Sequence, residues 1–346
     1  MDELSIERYR QWLAQLPDKH IAVIGDLMLD HYYLGSVTRI SPEAPVPVVE
    51  LERETCRLGG AANVAHNLRT LGAQVLLCGV VGNDSNGAEL LRLADELGIE
   101  TKGVITDAER PTTVKTRVIG NSQQLLRLDR EARAPIGARI VEHIMSALDH
   151  TQGIAAVILE DYNKGVLTPA IIEQVIEWAR QRALPVLVDP KIDNFFAYRG
   201  ATVFKPNQKE AQQALGTRLD ADESIVRAAV ELLQRLEAET VLITLGARGM
   251  MLVERNSFHR HIPSVARHVA DVSGAGDTVV ATLAAMMVAG ARVWEAATVA
   301  SIAAGVVCGE PGVVPITASA LTSAIERFIS SRTRSEIAIE QSETGS

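Results

Sequence analysis

Asp271-Val272-Ser273-Gly274-Ala275-Gly276-Asp277 runs without a break into an apolar helical stretch from Thr278 to Val288. The small residues Gly274, Ala275 and Gly276 permit a tight turn, so that backbone N–H groups can converge on one point at the positive end of the following helix. That is an anion site with a carboxylate built into it. A turn made only to hold a phosphate gains nothing from the further negative charge of Asp277, whereas a base for an attacking hydroxyl explains it. Phosphoryl transfer requires a nucleophile and leaving group in line, neutralisation of charge on the moving group and an acceptor for the hydroxyl proton. This one turn could supply the last two. The competing reading is an ordinary helix N-terminus in which Asp277 caps the first turn.

The elements that must position such a turn follow from the apolar pattern. Strand-like runs fall at 20–25, 74–81, 154–159, 184–189, 202–205 and 240–245, with helical periodicity at 61–71, 87–97, 169–182 and 224–235. This alternation predicts an α/β fold, a mainly parallel central sheet with helices on both faces. Ligands bind such sheets beyond the carboxyl ends of the strands. Asp26, Asp161, Asp189, Thr244 and Gly246 all fall at those ends. Two stretches, 30–51 and 101–129, break the alternation and read as extended segments. Pro45 and Pro47 in the first suit an edge or irregular strand. The two insertions are expected to form a small antiparallel β lid that excludes water from the site, with a dimerisation flap as the alternative use. Residues 1–330 thus read as one domain, followed by a polar tail at 331–346 that is expected to fray.

Composition limits the function classes. The 346 residues are 47% apolar but only 4% aromatic, and the net charge of −9 comes without any Lys/Arg run. Those features argue against nucleic-acid and membrane-surface partners. Cys56, Cys78 and Cys308 are far apart and odd in number, which fits free thiols in a reducing compartment. Acidic Asp2 and Glu3 at the start do not match a secretory leader, and no apolar run reaches the length of a membrane span. The expectation is a soluble, cytoplasmic protein. His259 and His261 alternate as on a strand without a third ligand nearby in sequence, so they read as structural or exposed.

Gly59-Gly60 with Asn63, Asn207 and Glu210 in NQKE, TLGARG at 244–249 and DVSGAGD at 271–277 occur in that order. Together they resemble the ribokinase, or PfkB, family of carbohydrate kinases, over about residues 15–330. Within that family the stretch 25–50, with DYNKG at 161–165, is similar to the kinases acting on heptose 7-phosphate in lipopolysaccharide-core synthesis. The resemblance implies a ribokinase-like fold, ATP and Mg2+ as cofactors, and a homodimer formed through the lid. It makes Asp277 the general base and the amides of Gly274, Ala275 and Gly276 the anion hole. Asn207 and Glu210 would help hold magnesium, through water. Thr244, Gly246 and Gly249 would flank the nucleotide, with Lys191 also on that side. On the sugar side Asp26 and Asp30 would accept hydroxyl hydrogen bonds, with Gly59, Gly60 and Asn63 closing over them. Asp161, Lys164 and, from the lid, Arg127 would complete the sugar site, with Lys115 and Arg117 as further candidate cations for a distal phosphate.

Two departures qualify the resemblance. Val272 stands where many members have Thr, which leaves activation by a monovalent cation open although Asp271 and Ser273 remain. Many heptose kinases are also joined to a nucleotidyltransferase domain, and the expectation here is a chain that only phosphorylates, with a separate protein for adenylyl transfer. The reading is an ATP-dependent kinase of the anomeric hydroxyl of D-glycero-β-D-manno-heptose 7-phosphate. The alternatives are a family kinase for another phosphosugar, a nucleotide-binding regulator that has lost the chemistry, and a dinucleotide oxidoreductase. Absence of GxGxxG after the first strand weighs against the last.

Overall fold

In chain order the elements are α1 (Ile6–Gln15), β1 (His20–Gly25), β2 (Leu27–Ile40), β3 (Pro47–Gly60), α2 (Ala61–Leu71), β4 (Gln74–Gly82), α3 (Ser85–Glu96) and β5 (Glu100–Asp107). They continue with β6 (Thr113–Gly120), β7 (Gln123–Arg130), α4 (Ala138–Asp149), β8 (Ile154–Glu160), α5 (Pro169–Gln181), β9 (Val186–Asp189) and β10 (Val203–Phe204). The last are α6 (Gln208–Leu215), α7 (Asp222–Leu236), β11 (Thr240–Thr244), β12 (Met250–Glu254), β13 (His259–Ile262), α8 (Ala275–Val288), α9 (Val293–Val307) and α10 (Ala318–Thr344). This computed structural model describes residues 4–266 and 269–344, of which 332–344 are described by backbone alone.

Among the described residues, nine strands form the main sheet in the order β13-β12-β11-β10-β9-β8-β1-β4-β5. The strands from β11 to β5 run parallel, and β12 and β13 continue the sheet antiparallel. Period-two alternation divides the core between the two faces. Ile21 and Val23 of β1 face a layer built from α1, α2, α8 and α9. Ala22 and Ile24, between them, face the layer containing α4, α5 and α7. Both faces are covered, which is why these strands read as continuous apolar runs.

The chain leaves β1 and returns on its two sides as β4 and β8, so the order of connection reverses at β1. A crevice opens at such a point beyond the strand ends. Asp26, Asp161, Asp189, Lys205 and Thr244 all sit at this edge of the sheet. The N-terminus of α8 closes over it.

A second sheet, of order β3-β2-β6-β7, forms the lid. Its outer pairs are antiparallel and its central β2–β6 pair is parallel. The lid differs from the sequence expectation in extent. Residues 100–107 belong to β5, an edge strand of the main sheet paired to β4, and only β6 and β7 of the second insertion enter the lid. A half-buried edge strand and a half-exposed lid strand share the same alternation, so the pattern alone does not separate them. The first insertion is longer than expected: β2 and β3 begin and end inside the site, at Leu27 and Gly60. At the C-terminus, helix α10 continues to Thr344 through the segment expected to fray.

Candidate active site

Gly274 starts the turn that opens α8, with a left-handed φ of 76°. A Cβ there would press on the Asn63 amide nitrogen, at 2.9 Å, so the turn and α2 can approach only through a glycine. Asp277 lies in the first turn of the helix and is buried. Its Oδ2 accepts a 2.7 Å hydrogen bond from Asn63 Nδ2, and its Oδ1 accepts one of 2.7 Å from the Tyr162 hydroxyl. Asn67 Nδ2 donates to Asn63 O and Asn63 Oδ1, at 2.8 and 3.3 Å, which turns the Asn63 NH2 toward Asp277. Thr278 Oγ1 and Ile316 N in turn donate to Asn67 Oδ1. A chain of buried amides therefore fixes one oxygen of the carboxylate.

Burial raises the Asp277 pKa to about 6, against the lowering effect of the Asn63 and Tyr162 hydrogen bonds; Asp189 adds to the rise and Lys205 opposes it. A carboxylate poised there is ionised at neutral pH yet basic enough to take a proton in a transition state. Lys205 Nζ pairs with Asp189 Oδ2 at 2.6 Å, and both side chains are buried. This pair lies directly under the turn, within 4 Å of where a Gly276 side chain would begin. Beside it Glu160 is fully buried, with neither carboxylate oxygen hydrogen bonded. Burial and the neighbouring Asp189 and Asp277 push its pKa well up, toward the neutral acid. Of the three turn amides, Ala275 N already donates to Val272 O, at 3.3 Å. A phosphoryl group would be met by the remaining amides and by the Lys205 ammonium beneath.

An open cavity of about 280 Å³ adjoins the turn, lined among others by Thr244, Gly246, Gly249, Val279, Gly305 and Cys308. It is mostly apolar and lies next to the helix N-terminus, which suits a base and ribose with their phosphates directed at the turn. The ring of Tyr162 is approached by two ammonium groups, Lys115 of β6 and Lys191 after β9, each 5.1 Å from its centre. Lys191 Nζ also pairs with Glu210 Oε1 at 2.7 Å. Burial works against its charge, but Asp189 and Glu210 outweigh that and hold its pKa above the ordinary value.

A model of the pfkB family carbohydrate kinases matches residues 18–319. The chain belongs to the pfkB family. It is therefore a sugar kinase, a phosphotransferase acting on an alcohol group. This kinase is 45% identical over 326 residues to the bifunctional protein HldE of Pelobacter propionicus, covering 94% of this chain and 66% of that protein. It is 46% identical over 294 residues to the bifunctional protein HldE of Geobacter sulfurreducens, covering 84% of this chain and 59% of that one. The kinase thus spans about three fifths to two thirds of the length of these relatives. Its fold is similar to that of phosphofructokinase-2 from Escherichia coli solved with substrates and products, at TM-score 0.73 and 18% identity over 88% of this chain and 97% of that one. Ribokinase from Arabidopsis thaliana, complexed with ribose and ATP, gives TM-score 0.68 at 20% identity over 88% and 98%. The ribokinase-like α/β fold is the one expected.

The kinase brings Asp277, Gly274, Ala275, Gly276 and Asn63 together, and sets Thr244, Gly246 and Gly249 around the adjoining cavity. Several other expected residues stand differently. Both Asp26 oxygens accept backbone N–H groups, Oδ2 from Tyr162 and Lys164 and Oδ1 from Val166. Asp26 is a buried anchor for the loop after β8, with three backbone donors already on its carboxylate. Asp161 likewise receives Asn163 N and the Tyr198 hydroxyl. Asp30 pairs with Arg117, and a side chain at Gly59 would collide with its carboxylate. Gly60 takes a left-handed φ of 56° to start α2. Lys164 pairs with Glu131 at 2.7 Å. Arg127 lies on the exposed strand β7, forked onto Asp129, while Lys115 and Arg117 on the neighbouring strand point to the site. Asn207 and Glu210 form a reciprocal capping box at the start of α6, with Asn207 as N-cap and not a full helical turn member. Tyr162, Asp189 and Lys205 carried no assigned role in the sequence. Tyr162 was visible within DYNKG, but nothing in that motif says that its hydroxyl reaches across to Asp277.

Proposed function

We propose that this kinase transfers the γ-phosphoryl group of ATP to the anomeric hydroxyl of D-glycero-β-D-manno-heptose 7-phosphate, giving the 1,7-bisphosphate. The observation that carries the chemistry is Asp277, with a pKa raised to about 6, at the N-terminus of a helix beside the open cavity of about 280 Å³. Asp277 takes the hydroxyl proton as the oxygen attacks phosphorus, and the free turn amides and Lys205 hold the charge that spreads over the phosphoryl oxygens. The substrate assignment is supported by the similarity of 25–50 and DYNKG to heptose 7-phosphate kinases, and by the names of the relatives. The ammonium groups of Lys115 and Lys191 at Tyr162 suit the negative charge of a phosphosugar.

Magnesium would enter with the nucleotide. Among the described residues no group of three or more His, Cys, Asp or Glu can hold a metal. Glu210 and Asn207 each use one lone pair on the other's backbone N–H, and Glu210 Oε1 also accepts from Lys191. Their remaining lone pairs fit outer contacts to the waters of a Mg2+ held by phosphates, an ion that keeps several waters and neutralises phosphate charge. Product analysis tests the assignment. Incubation with ATP and the heptose 7-phosphate should give a new anomeric phosphate signal in 31P NMR, with fructose 6-phosphate a poor acceptor. Phosphorylation of fructose 6-phosphate alone would discard the heptose and keep the kinase.

A further inference from the structure

Asp277 Oδ2 accepts from Asn63 and Oδ1 accepts from the Tyr162 hydroxyl, each at 2.7 Å, so an acceptor hydroxyl deprotonated at Oδ1 must take the place that the phenol holds. We propose that Tyr162 is a guard on the base: its phenol fills the acceptor's place on Asp277 in the sugar-free kinase and gives that place up when a sugar hydroxyl arrives. The inference rests on Asp277 being the base. Three features fit a side chain that is poised and not welded in place. Its backbone is fixed, since Tyr162 N donates 2.7 Å to buried Asp26. Its ring lies against two cations, one of which, Lys115, belongs to the lid. Its hydroxyl makes the same donor-to-carboxylate bond that an acceptor alcohol must make. A sugar that draws Lys115 toward itself loosens the ring and needs the bond that the ring gives up.

The physical purpose is to deny water the base. With ATP bound and Oδ1 open, Asp277 would take a proton from water as the water oxygen bonds to the γ-phosphorus and the bond to the β-phosphate oxygen breaks, releasing ADP and phosphate. The phenol blocks that place until a better nucleophile occupies it.

Tyr162→Phe tests this. The loop stays anchored through the backbone of residues 162, 164 and 166 on Asp26, so the variant should melt as the wild type does. Two readouts are expected to change. Hydrolysis of ATP without any sugar should rise at least about ten-fold. The acid limb of kcat/KM, which reports the free enzyme, should move up by about one pH unit because Asp277 loses a donor to its charged form, while the acid limb of kcat should stay where it is because the bound acceptor has already displaced the phenol. The other charged groups facing Asp277 are Glu160 from β8, Asp189 from β9 and Lys205 after β10, with Lys191 and Lys115 beyond the ring, and the substitution leaves all of them in place. Tyr162→Leu, which also lacks the donor, must raise the hydrolysis likewise. Unchanged hydrolysis with an unmoved kcat/KM limb would reduce Tyr162 to a structural residue. Both limbs moving together would mean that the phenol stays on the base through turnover, and either result overturns the guard. Hydrolysis needs no sugar, so a kinase that ignores the heptose but still shows the rise would fail the substrate assignment and keep this inference.

Discussion

At the scale of single residues, Asp277 sets the pH behaviour of the kinase. Its carboxylate must be ionised to accept a proton, and its pKa is raised to about 6. Activity is therefore expected to be full near pH 8 and to fall about ten-fold per pH unit below pH 6, as kcat/KM measured from pH 4.5 to 8.5 would show. The same shift has a stability consequence of opposite sense. A folded pKa above the ordinary aspartate value of 3.8 means that the folded state binds the proton more tightly, so the group contributes stability below pH 4 and loses it as pH rises through about 6. Asp277→Asn should accordingly melt no lower than the wild type at pH 8, which separates lost chemistry from lost fold. The buried Asp189–Lys205 pair behaves otherwise. Lys205→Met leaves the Asp189 carboxylate without its partner, and breaking a buried pair in this way costs about 3–5 kcal/mol, to be read from the urea midpoint.

At the scale of elements, the site is made by strand ends and one helix start. The parallel strands were legible because burial on both faces leaves continuous apolar runs, and α8 because a glycine turn meets an unbroken apolar helix. The sequence could not say which strand-end carboxylates face a ligand. Asp26 and Asp161 resemble Asp189 in their position after a buried strand, yet backbone and tyrosine donors hold both oxygens of the first two, whereas Asp189 pairs with Lys205. That depends on where the loop after β8 folds, 136 residues from Asp26 in the chain. Asp26→Ala would release three backbone amides and the loop that carries Tyr162. The expected cost is about 2–3 kcal/mol by urea denaturation, with weakened sugar binding at little change in ATP binding.

At the scale of the whole molecule, the lid supplies part of the site and part of the outer surface. Lys115 and Arg117 look inward, whereas every residue of β7 is exposed. Ile40, Val46, Leu51, Leu126 and Leu128 on the lid are each more than half exposed. An apolar face of this kind fits the expected pairing of two lids. Leu126→Glu with Leu128→Glu is predicted to shift the particle to half its mass in sedimentation, and an unchanged mass would remove the lid from the interface. Lid boundaries were the least legible feature of the fold, since β5 of the main sheet shares the alternation of the lid strands. The expected lid cations are separated for a related reason: Arg117 and Arg127 lie directly opposite on paired strands, and the pairing of β6 with β2 sets Arg117 against Asp30 while Arg127 stays exposed on β7.

The most direct test of the whole account is the turnover of ATP with D-glycero-D-manno-heptose 7-phosphate at pH 8 by the wild type and by Asp277→Asn. We predict rapid turnover that falls by about 10²–10⁴ in the variant while ATP binding persists. Turnover in the variant equal to that of the wild type would contradict the assignment of Asp277 as the base.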